Sequence, residues 1–78
     1  MSEVERWKEY EKKAIFVKGL AAALNLAPRI GVRNLTYSVD AKQKEAVEVE
    51  FDNGFYRRVD VTADSELAIL DDIRKVLG

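Results

Sequence analysis

The chain has 78 residues, a net charge of −1, and 47% hydrophobic against 35% charged residues, a balance that belongs to a globular domain and excludes a disordered tract. A domain this short buries only about 60–65% of its unfolded surface, so its core is thin and a partner or a homodimer would add buried area. Cysteine and histidine are absent, which removes disulfides, thiolate nucleophiles, ordinary zinc sites and the side chain best suited to proton transfer near neutral pH.

Ser2-Glu3-Val4-Glu5 has the Ser-x-x-Glu form of a capping box and opens the first helix. Trp7, Tyr10, Ala14, Val17, Ala21 and Leu24 then recur at three- and four-residue steps, which predicts one buried helical face. Glu9, Glu11, Lys12, Lys13 and Lys18 fall elsewhere and are expected in solvent. Gly19 costs roughly 1 kcal/mol against alanine and marks close packing or a bend. Asn25 and Pro28 end the helix. Trp7 and Tyr10 belong to the core stripe; where the first turns overhang the sheet, the pair becomes a partner contact instead.

Three alternating runs follow. Leu35, Tyr37 and Val39 alternate with Thr36, Ser38 and Asp40; Val47, Val49 and Phe51 with Glu48, Glu50 and Asp52; Phe55, Val59 and Val61 with Tyr56, Arg58, Asp60 and Thr62. Period two in consecutive short runs predicts an antiparallel sheet with one face on the core and one in water. The Asp52-Asn53-Gly54 turn fixes the register. A two-residue Asn-Gly turn would set Val49 opposite Arg58 and Val47 opposite Asp60. A three-residue loop with Gly54 in a left-handed bulge pairs Phe51 with Phe55 and Val47 with Val59, and sets Glu48 opposite Arg58 and Glu50 opposite Tyr56. The second register is the one expected, with Arg57 in phase with the core at the sheet edge.

A last helix is predicted from Thr62 or Asp64 to Leu77, with Gly78 as its natural end. Ile69, Leu70, Ile73, Val76 and Leu77 form its apolar stripe, and its terminal charges suit the helix dipole. The fold class is therefore a single α+β domain over residues 1–78, ordered αβββα, with both helices on one face of a three-stranded antiparallel sheet and the other face open.

The charge is unevenly divided. Residues 1–39 carry +3, residues 40–72 carry −6, and Arg74 and Lys75 add +2. The open face should present Thr36, Ser38, Glu48, Glu50, Tyr56, Arg58 and Asp60, an acidic surface suited to a basic protein patch or to imitating nucleic-acid phosphates. Its bland reading is a solvated face with a weak Glu48–Arg58 cross-strand pair. Asp60, Asp64, Glu66, Asp71 and Asp72 crowd in sequence, yet Asp71 and Asp72 point about 100° apart on a helix and do not converge on a metal. With no phosphate loop and no nucleophile motif, neither an enzyme nor a cofactor or metal is expected. No apolar stretch approaches the ~18 residues of a membrane span and no secretion signal is visible, so a cytoplasmic protein is expected.

A second reading concerns residues 20–35. Leu20-Ala21-Ala22-Ala23-Leu24-Asn25-Leu26, then Ile30 and Leu35, resembles the apolar spacing of a helix-turn-helix, whose second helix would offer Arg29, Arg33 and Asn34 to a DNA groove, with the hairpin as a wing. Gly31 and Pro28 depart from that pattern, and an acidic sheet is the wrong surface for phosphates. The stretch from Val47 to Ser65, with its Asp52-Asn53-Gly54 hairpin and the Ile/Leu-rich helix after it, resembles the C-terminal half of small prophage proteins of Gram-positive bacteria. The resemblance implies an accessory factor that binds a host protein, of which anti-CRISPR inhibitors are one kind, and it implies no catalytic residue.

Overall fold

A computed structural model describes residues 3–77. The chain forms α1 (Glu3–Asn25), a single 3-10 turn (Pro28–Ile30), β1 (Val32–Val39), β2 (Glu45–Phe51), β3 (Tyr56–Asp60) and α2 (Glu66–Leu77). The three antiparallel strands lie in the order β1-β2-β3. One core joins Val17 and Ala21 of α1, Ile69 and Ile73 of α2, and Val32, Leu35, Val47, Val49 and Val61, so both helices cover one face and the other stays open. No helix among the described residues is long and apolar enough to cross a membrane. Ser2 of the expected capping box and Gly78 lie outside the described residues.

The sheet has the expected register. Val47 faces Val59, Glu48 faces Arg58 and Glu50 faces Tyr56. The Phe51 N–H donates to the Phe55 carbonyl at 2.9 Å and the Gly54 N–H to the Phe51 carbonyl at 3.0 Å, with Gly54 at φ 90°. This is a type I turn closed by a left-handed glycine, whose twist matches the strands it joins. β1 begins three residues earlier than its alternation suggests, because a bulge between Val32 and Asn34 returns Val32 to the core side opposite Phe51. Phe55, in phase with the core, leaves its ring in solvent at the hairpin tip, 71% exposed.

Three expectations are corrected. The segment after α1 makes only the Pro28–Ile30 turn before entering β1, so residues 20–35 hold no second helix: Arg29 sits on that turn, and Arg33 and Asn34 belong to a strand. The helix-turn-helix is absent because Leu35, Tyr37 and Val39 are committed to the sheet. α1 is turned by about 50° from the expected stripe, counted at 3.6 residues per turn. Trp7 is 62% exposed and Ala14 is exposed, while Lys13 is buried and Phe16 and Leu20 pack against the core. α2 starts at Glu66 rather than at Thr62 or Asp64. Asp60 accepts the Thr62 N–H at 2.9 Å in a local turn, Ala63 has φ 61°, and the Ser65 hydroxyl caps the helix by accepting the Ala68 N–H at 3.2 Å.

Candidate binding surface on the open sheet face

The open face is built by alternation. Its central strand contributes Ala46, Glu48 and Glu50; β1 sets Ser38, Thr36 and Asn34 opposite them, and β3 sets Asp60, Arg58 and Tyr56. Thr36, Ser38, Glu48, Arg58 and Asp60 are exposed, and Tyr56 is 64% exposed. Glu50 is half-buried, because Arg33 reaches across to it at 3.5 Å while donating to the Asp52 carbonyl at 3.1 Å. All seven sequence-predicted residues therefore share one surface, with Arg33 and Asn34 at its rim.

Its charge is smaller than the −6 of residues 40–72. Glu45 is on the core side, Asp40 and Asp52 lie in turns, and Asp64, Glu66, Asp71 and Asp72 lie before or within α2, so the face itself carries Glu48, Glu50 and Asp60 against Arg58 and, at its rim, Arg33. Asp60 accepts both the Thr62 hydroxyl, at 2.7 Å, and the Thr62 N–H, and these hydrogen bonds hold its carboxyl below the ordinary range. Ala46, 4% exposed, floors a hollow of 230 Å³ walled by Asp40, Lys44, Arg58 and Asp60. A small residue on the central strand between longer neighbours leaves such a dip, below the 300 Å³ or so of a typical ligand pocket and large enough for one side chain.

The most connected polar group was not evident as a site in the sequence. Glu45 is 4% exposed, and its Oε1 accepts from Lys13 Nζ at 2.7 Å and from the Tyr37 hydroxyl at 2.5 Å, while its Oε2 accepts the Ala63 N–H at 2.8 Å. Burial works against the Glu45 charge, but the bonds from Lys13, Tyr37 and Ala63 outweigh it, and its pKa is lowered. Burial and the bond to Glu45 push the Tyr37 phenol up. The sequence signal was present: Glu45 is in phase with Val47 and Val49, and Lys13 stands four residues before Val17. A buried charge on each of two core faces implies a pair.

Of the acidic residues before and within α2, Asp71 pairs with Lys75 at 3.2 Å. Asp72 is half-buried and faces Asp64, whose Oδ2 is shut off from water with no donor. A carboxyl–carboxyl hydrogen bond with Asp72, then burial, then the Asp72 charge raise Asp64 to about 6. Among the described residues no three acidic side chains converge as a metal site requires. No family model matches the chain, and no curated protein or solved structure matches it either.

Proposed function

We propose that this domain is a non-catalytic protein-binding module whose open sheet face engages a basic surface on a partner. The observation that carries this reading is the central strand itself: Glu48 and Glu50 look away from both helices, with Asp60 beside them. Three carboxylates on a rigid sheet, with exposed Tyr56 as an aromatic anchor, suit a lysine- or arginine-rich patch. The hollow over Ala46, walled by Lys44 and Arg58 as well as Asp40 and Asp60, has room for a single side chain of that partner. Such patches read nucleic-acid phosphates, so the module would act as an inhibitor of a nucleic-acid-binding protein, in the manner of a phage accessory or anti-CRISPR protein.

The test is affinity capture from a lysate of the cells that produce the chain, with wild type and Glu48→Lys/Glu50→Lys/Asp60→Lys baits compared by quantitative mass spectrometry. A basic nucleic-acid-binding protein should be enriched on wild type, released by moderate salt and lost from the triple variant. Equal enrichment on both baits would show that the open face is not the binding surface.

A further inference from the structure

The two edges of the sheet are built differently. The outer edge of β3 is five residues long and carries Arg57, Arg58 and Asp60, charges of the kind that guard an edge against pairing. The outer edge of β1 is eight residues long, Val-Arg-Asn-Leu-Thr-Tyr-Ser-Val, and after the bulge at Arg33 it is uncharged. The Asp40 N–H donates to the Lys44 carbonyl at 3.0 Å, so even-numbered residues turn their main chain toward β2. By alternation the N–H and C=O groups of Leu35, Tyr37 and Val39 point outward, away from the sheet.

α1 packs along β1, and its shoulder reaches past that edge. Between them runs a groove of 220 Å³, lined mainly by Trp7, Tyr10, Glu11, Ala14, Tyr37 and Val39. Trp7 meets Tyr10 edge-to-face at 5.9 Å and stays largely in solvent. Trp7, Glu11, Ala14 and Lys18 follow one another at four- and three-residue steps and share this side of the helix. α1 runs antiparallel to β1, so Trp7 lies at the Val39 end of the groove, Glu11 lines it between Trp7 and Ala14, and Lys18 follows one turn beyond Ala14.

We propose that the outer edge of β1 receives one extended segment of a partner protein as a fourth strand. Its alternate apolar side chains lie against Trp7, Tyr10 and Ala14; a basic residue meets Glu11 within the groove, and an acidic residue meets Lys18 beyond it. A second copy of this chain does not fit. Two β1 strands paired at about 4.8 Å would bring two α1 helices, each over its own strand, closer than the 8–10 Å that packed helices require. A lone strand brings no helix. Main-chain hydrogen bonds would supply affinity, and the aromatic shoulder and the flanking charges would supply specificity and direction.

The experiment uses random heptapeptides displayed on phage, selected against the full chain. Enriched peptides are then synthesised and titrated while the emission of Trp7, the sole tryptophan, is followed. Binding should shift that emission to the blue and slow amide exchange at Leu35, Tyr37 and Val39. Affinity should fall at least tenfold on a chemically synthesised chain carrying N-methyl-Tyr37, and equally on Ala14→Lys, which fills the groove from an exposed position. Glu48→Lys/Glu50→Lys should leave it unchanged. Failure to enrich any peptide, or peptides that bind Ala14→Lys as tightly as wild type, would overturn the proposal. Loss on Glu48→Lys/Glu50→Lys alone would overturn it while leaving the open-face reading intact.

Discussion

Replacing Lys13 by methionine isolates the energetics of the buried Glu45 charge. The substitution keeps most of the Lys13 stem in place and removes the ammonium that sits 2.7 Å from Glu45 Oε1. The Tyr37 hydroxyl and the Ala63 N–H remain as donors, but the carboxylate is left 4% exposed without a counter-charge. Breaking a buried pair on one side typically costs 3–5 kcal/mol. Here protonation sets a ceiling: for a carboxyl whose ordinary value is 4.5, taking up a proton at pH 7 costs at most about 3.4 kcal/mol. Lys13→Met should therefore lose about 2–3 kcal/mol at pH 7, a large share of the roughly 4–12 kcal/mol such a domain holds. The loss should shrink as the pH falls toward 4.5, where the protonated acid needs no partner. Wild type behaves oppositely, since its lowered Glu45 pKa gives stability that is present above 4.5 and lost as the pH falls through the folded value. Urea unfolding followed by far-UV circular dichroism at pH 7 and pH 5 measures both. A difference below about 0.5 kcal/mol at pH 7, or one independent of pH, would refute the claim that Lys13 holds the Glu45 charge in the core.

Asp64 titrates near 6 in the folded chain against an ordinary 3.8, so wild type should lose stability as the pH rises through about 6. Asp64→Asn, which can donate to Asp72 at any pH, should remove that slope and gain about 1–2 kcal/mol at pH 8, read from urea midpoints across pH 4–8. Gly19→Ala should stabilise by about 1 kcal/mol, because a Cβ there meets nothing within 4 Å inside a regular helix, and a rise of several degrees in Tm would show it. Gly54→Ala should cost about 1 kcal/mol or more by the same measurement, since φ 90° strains any side chain although space is open.

The sheet was the most legible part of the sequence. A period of two assigns faces without reference to anything distant, and Asp52-Asn53-Gly54 then allows only one register that keeps Val47 and Val59 together. The open face followed directly, including Glu48 and Glu50. α1 was harder because apolar residues lie all round it: Val4 and Ile15 are as exposed as Trp7, so no single stripe announces the buried side. On the turned face Lys13 pairs with Glu45, 32 positions away, beside Phe16 and Leu20; each charge is in phase with its own element's core residues, but the pairing is visible only once the two elements are brought together. The Asp64–Asp72 pair escaped for a related reason. It depends on α2 starting at Glu66, and that start is set by the Ser65 cap and the Ala63 backbone rather than by apolar period.

Glu45 touches Lys13 of the first helix, Tyr37 of the first strand and Ala63 ahead of the second helix, from its own place at the head of the middle strand. One side chain thus ties together stretches drawn from most of the chain's length. The first helix cannot peel away without stranding the Glu45 charge in the interior, and the segment that leads into the second helix is held by the Ala63 N–H. In a domain with so little apolar mass, where separate elements fray most readily, these bonds oppose local opening of the sheet that stands behind both proposed contacts.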